Sequence, residues 1–229
     1  MTLMLTLALF FAQMTPSHSP SETYYVVFLR PDPARKPISK EEGERIQKNH
    51  MANIMSMADH GILVAAGPFE DKPTTITGVF IFRVSSLQDA QQIASADPTV
   101  QAHRNIVEVH AWRGPKGIGE EYVRLHKEKP ETPEGMGIQP LFLIYHGPGW
   151  SPSAQTDGHA RYLAQLRAEG KVAMFGPTEG RDELVGIIVF NRVPDEEAQR
   201  LISADAAIAA NQLRAEFHHW WCAEHVLPN

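Results

Sequence analysis

The stretch SADPTVQAHRNIVEVHAW at residues 95–112 returns as SADAAIAANQLRAEFHHW at 203–220. The correspondence is not confined to these segments. His50 aligns with His159, Gly61 with Gly170, and Gly67-Pro68 with Gly176-Pro177. After a one-residue gap, Gly78 aligns with Gly186 and Asp97 with Asp205, and Glu108, His110 and Trp112 align with Glu216, His218 and Trp220. An ordered series of this kind implies one fold unit written twice, a tandem duplication, and it restricts the chain to architectures with two equivalent parts.

Each half spells the same order of elements. TYYVVFLR is rich in β-branched and aromatic residues and reads as a strand. The segment SKEEGERIQKNHMANIMSMADHG reads as a helix, with Ser39 and Glu42 as a capping box and Gly61 as a left-handed stop. ILVAAG and TGVFIFRV are two further strands, SSLQDAQQIAS a second helix, and NIVEVHAW an alternating fourth strand. The second half repeats the order with LFLIYHG, HARYLAQLRAEG, KVAMFG, LVGIIVFNRV, PDEEAQRLIS and AEFHHWW. This is βαββαβ twice, the split βαβ or ferredoxin-like unit.

One such unit carries helices on one sheet face only and leaves the other bare, which is unstable in water when the bare face is apolar. Two units in one chain can close face to face. The predicted class is therefore α+β, with two ferredoxin-like units forming an intrachain pseudo-dimer of the dimeric α/β-barrel kind. The alternative is two independent domains, each dimerising with another chain. The expected boundaries are 23–113 for the first domain and 140–229 for the second. Residues 114–139 between them have the Gly, Pro and charge content of a linker, with EEYVRLH able to form a helical turn.

The apolar run MTLMLTLALFFAQ is too short to span a bilayer and has the length of a signal-peptide core. No Lys or Arg precedes it, so export, to the periplasm or outside, stands as an expectation beside a misassigned start or a disordered tail over 1–22 of a cytoplasmic protein. A net charge of −6 without any run of Lys and Arg argues against a nucleic-acid partner. The single cysteine, Cys222, excludes an intrachain disulfide and a Cys-rich metal centre, and it reads as a packed thiol. No HxxxH, HxH or HExxH spacing supports a metal, and no phosphate loop or nucleophile elbow occurs.

Chemistry concentrates on two histidine–aspartate combinations. Ile46, His50, Ile54 and Met57 share one helical face, so His50 points at the sheet within an apolar stripe, and His159, Leu163 and Leu166 repeat the arrangement. Asp97 precedes Pro98, the pattern of a helix N-cap, and Asp205 precedes AAIAA likewise. Capping and catalysis are compatible, since one carboxylate oxygen can cap while the other orients an imidazole as general base. His110 and His218 share a sheet face with Trp112 and Trp220 and read as packing residues, with a pocket floor as the alternative, and His219 and Trp221 lie on the opposite face.

The strand YYVVFL, the helix KNHMANIMSMADHG, GILVAAGPF, GVFIF, SADP and the closing VEVHAW resemble the YCII-related family over about residues 23–113 and, more loosely, 140–224. The resemblance implies a ferredoxin-like fold that pairs into dimeric α/β barrels. It also implies an active site of His50 with Asp97 and His159 with Asp205, although Ala206 replaces the Pro in the second copy. The expected activity is a cofactor-independent lyase or isomerase acting on a small apolar or aromatic acid, with no cofactor or metal. The alternatives are a small-molecule binding or sensing module and a purely structural pseudo-dimer. A small-molecule ligand and further homo-oligomerisation are the expected partners.

Overall fold

The structure, a computed structural model, describes residues 21–73, 75–129, 135–151, 157–180 and 183–228. The expectation of a leader or tail falls on residues 1–20, outside the described residues, while Ser21 and Glu22 already belong to the first strand. No described helix is long and apolar enough to cross a membrane.

The first half comprises β1 (Ser21–Pro31), α1 (Lys40–Asp59), β2 (Leu63–Pro68), β3 (Gly78–Phe82), α2 (Leu87–Ser95), the one-turn α3 (Pro98–Gln101) and β4 (Asn105–Pro115). The second comprises β5 (Met136–His146), α5 (Asp157–Ala168), β6 (Val172–Glu179), β7 (Leu184–Phe190), α6 (Asp195–Ser203), α7 (Ala206–Ala209) and β8 (Leu213–Ala223). Between them, α4 (Glu120–Glu128) occupies part of the segment expected as linker, β4 runs on to Pro115, and β5 starts at Met136. Both halves thus add a short helix, α3 or α7, to the βαββαβ order.

The local signals act as their chemistry dictates, with one exception. Ser39 caps α1 by accepting from the Glu42 amide at 3.1 Å, and Gly61 follows the helix at φ 69°. The reciprocal arm of the capping box is not made, because Arg45 holds the Glu42 carboxylate at 2.6 and 3.0 Å.

All pairings are antiparallel, and the strands follow the order β2-β3-β1-β4-β6-β7-β5-β8. The halves join where β4 meets β6, with Ala111 opposite Glu179 and Trp112 opposite Thr178. The two end strands also meet: Phe69 bridges Trp220, and the Glu70 amide donates to the His219 carbonyl at 3.1 Å. The sheet is thereby a closed barrel. Close approach at both junctions requires glycine. A Cβ on Gly67 would stand 1.8 Å from the Trp221 carbonyl oxygen, and one on Gly176 1.9 Å from that of Arg113.

Alternation along the strands divides the core into three. Val26, Phe28, Leu141, Leu143, Trp112 and Trp220 face inward and fill the barrel. Val27, Leu29, Phe80 and Phe82 face α1 and α2, and Phe142, Ile144, Ile188 and Phe190 pack with Leu163 and Leu166 of α5. Each such side chain, fully buried, contributes about 1.5–3 kcal/mol of transfer free energy. After β4 and β8 the chain segments cross, tied by the Gly119 amide on the Val226 carbonyl at 2.8 Å, and they set Ile118 and Val226 into the core beside the two tryptophans. Within one chain, each half covers the apolar inner face of the other, so neither sheet is left bare to water.

Candidate functional site

Helix α1 and the turn before α3 bring His50 and Asp97 together. His50 Nδ1 lies 2.9 and 2.8 Å from the two oxygens of Asp97. Asp97 is fully buried and accepts three further hydrogen bonds. The Thr99 amide and hydroxyl donate to Oδ1 at 2.9 and 2.6 Å, and Asn53 Nδ2 donates to Oδ2 at 3.0 Å. Asn105 Nδ2 donates in turn to the Thr99 hydroxyl at 3.0 Å. Asp97 is therefore helix cap and imidazole partner at once. Burial alone would raise its carboxyl, but the bonds from His50 and Thr99 outweigh that and hold it below the usual carboxylate range.

This fixes the tautomer of His50. With an ionised acceptor at Nδ1, the proton sits there and Nε2 carries the lone pair. No protein group among the described residues bonds Nε2, and the side chain is 13% exposed, enough for the ring to meet solvent. Its inner face packs 5.9 Å from the Phe80 ring.

The second half forms the same pair with fewer supports. His159 Nδ1 lies 3.0 Å from Asp205 Oδ2, and Asp205 Oδ1 caps α7 by accepting from the Ala207 and Ile208 amides at 2.9 and 3.3 Å. Here too burial, which raises the carboxyl, is outweighed by His159 and the amides, and Asp205 is held low. Tyr162 stands where α1 has Asn53 and directs its hydroxyl to the Leu201 carbonyl at 2.9 Å instead. Ala207 and Leu213 stand at the places of Thr99 and Asn105. The side-chain relay behind the first carboxylate is absent from the second.

His110 and His218, expected to pack, are buried but carboxylate-bonded. His110 Nε2 meets Glu108 at 2.7 Å, and His218 meets Glu216 at 3.1 Å and Asp71 of the opposite half at 2.5 Å. Arg30 also pairs with Glu108. These residues form the polar end of the barrel, opposite the tryptophans. The sequence held a signal for them that the packing reading passed over: Glu108-x-His110 and Glu216-x-His218 put acid and imidazole on one strand face. Asn53, Thr99 and Asn105 carried no such signal.

Cys222 is buried, and burial pushes its thiol up to about 12, as a packed thiol requires. No group of three or more potential ligands able to hold a metal ion exists among the described residues.

A closed barrel built from two ferredoxin-like units in one chain defines the class: a dimeric α/β barrel, chlorite dismutase-like in architecture. Within it, residues 23–113 match the family model of the YCII-related domain. A mutant chlorite dismutase from Candidatus Nitrospira defluvii superposes with a TM-score of 0.58 at 13% identity, over 91% of this chain and 94% of that one. A mutant of the same enzyme in complex with cyanide gives 0.58 at 11% identity, over 87% and 91%. A heme-binding protein from Thermus thermophilus gives 0.48 at 16% identity, over 90% and 93%. No curated protein sequence matches the chain.

The residues around the cavity beside α5 do not fit haem. At about 940 Å³ it offers room, but its one imidazole, His225, stands exposed at the rim beside Glu121. The carboxylate-backed imidazoles of His50 and His159 lie outside its lining. In this cavity a macrocycle would find room but no buried imidazole to hold it.

Proposed function

We propose that the protein is a small-molecule enzyme of the lyase or isomerase class in which His50 is the general base and Asp97 its orienting partner, with His159 and Asp205 as a second, less supported pair. The observation that carries the reading is the direction of the His50 ring. Its Nδ1 proton is committed to a fully buried, four-partnered carboxylate, while Nε2 has no protein partner among the described residues. Nε2 would take a proton from a C–H or O–H of a small organic acid, and Asp97 would stabilise the imidazolium formed. Returning the proton elsewhere on the same molecule gives isomerisation, and loss of a leaving group gives elimination.

The test is proton exchange. A panel of small aromatic and carbonyl acids is incubated with the protein in D2O, and C–H to C–D conversion is followed by NMR. The expected result is exchange that falls roughly 10²–10⁴-fold in His50→Ala. Circular dichroism should show the fold kept, since Asp97 retains three of its donors. Equal exchange in protein and variant, or none with any acid, would overturn the reading.

A further inference from the structure

The cavity of about 940 Å³ belongs to neither imidazole pair. It lies along a flank of α5, against β6, the end of β4 and the segment that follows β8. Ala160, Ala164 and Ala168 recur at helical spacing and form its hollow side, with Val172, Ala173 and Phe175 as apolar floor. The corresponding α1 positions carry Met51, Met55 and Asp59, so the second half has small residues where the first has long ones.

The rim is cationic. Arg113, Arg161, Arg167 and Arg192 line the cavity against a single acid, Glu224. Glu224 pairs with Arg192 at 3.1 Å, and Arg113 pairs with Glu179 at 2.9 Å. Arg161 and Arg167 have no ion pair or side-chain hydrogen bond among the described residues. Arg167 is half-buried, and burial without a neighbouring carboxylate pulls its guanidinium below the usual arginine value. The equivalent α1 positions are Ala52 and Ala58, so both unpaired cations are particular to the second half. An unpaired, partly desolvated guanidinium above an apolar floor is complementary to one chemistry, an anion on an apolar body.

We infer that this cavity is a binding site for a small organic acid with an apolar or aromatic body, its anionic group held by Arg167 and Arg161 and its body seated on the alanine face of α5. The site is separate from the His50 and His159 pairs, and ligand binding there does not depend on the proposed proton transfer.

The probe is 2-naphthoate, titrated by calorimetry into the full chain, with neutral 2-naphthalenemethanol as its uncharged counterpart. Saturable binding of 2-naphthoate is expected, at least tenfold weaker in Arg167→Met, which keeps the apolar stem and removes the charge. Binding should be lost in Ala164→Trp, which fills the hollow from an exposed position, and unchanged in His50→Ala. The inference is overturned by three results: no saturable binding, undiminished affinity in Arg167→Met or Ala164→Trp, or equal affinity for the alcohol. Loss of binding in His50→Ala alone would place the ligand at the imidazole pair and overturn it equally.

Discussion

Trp112 and Gly176 meet across the junction of the two halves, where the indole Nε1 donates to the glycine carbonyl at 2.9 Å. Trp220 stands at the other junction beside Gly67, yet its Nε1 has no partner among the described residues. The two tryptophans occupy equivalent, fully buried places and differ by one hydrogen bond. Trp112→Phe should therefore lower stability by about 1–2 kcal/mol more than Trp220→Phe does. Urea unfolding of the two variants measures the difference, and equal midpoints would count against the bond.

Asp97 and Asp205 also differ in number of partners. Truncating Asp97 strands His50, Asn53 and both donors of Thr99, whereas truncating Asp205 strands His159 and two amides. Asp97→Ala should cost about 2–4 kcal/mol and Asp205→Ala about 1–2 kcal/mol. Thermal unfolding of both variants ranks them, and the reverse order would refute the comparison.

Acid should weaken the polar end of the barrel. The His110 bond, opposed by burial and aided by Arg30, holds the Glu108 carboxyl down at about 2, against an ordinary 4.5. A depressed value in the folded state means stabilisation that is complete above the ordinary value and vanishes as pH falls through the folded one. The stability gap between the protein and Glu108→Gln should be constant above about pH 4.5 and close by about pH 2. The lowered carboxyls of Asp97 and Asp205 leave a residual acid slope in the variant. Denaturant midpoints measured across this range decide it.

Cys222 should be silent until the fold opens. A buried thiol raised to about 12 presents almost no thiolate at about pH 8. Iodoacetamide is expected to leave it unmodified in native protein and to alkylate it promptly in denaturant, read by mass spectrometry. Rapid native labelling would show that the end of β8 opens readily.

The architecture was legible because its evidence is periodic and repeated. Strand alternation, helical stripes and the glycines at 61, 67, 170 and 176 each specify a local geometry, and the doubling supplies the partner that an exposed sheet needs. The meeting of His50 with Asp97 was legible from the family resemblance, whereas the residues alone left Asp97 between cap and orienting group, since Asp before Pro predicts a cap by itself. The structure shows Asp97 doing both. Asn53, Thr99 and Asn105 could not be read out, because an isolated polar residue on a helix or at a strand start, whether half-buried like Asn53 or buried like Thr99 and Asn105, has no period to reveal it. The Asp71–His218 contact joins residues far apart in the chain and depends on how the barrel closes, which no local pattern encodes.

The bridge between Phe69 and Trp220 leaves the cylinder without a free rim strand. Among the described residues, neither end strand is left as a wholly open edge for a neighbouring molecule to pair with, which disfavours strand-by-strand polymerisation. Among the described residues, the exposed large apolar side chains left for a higher assembly lie both on helices, as Met51 and Met55 of α1, and on strand ends, as Met136 and Ile138 of β5 and Trp221 of β8.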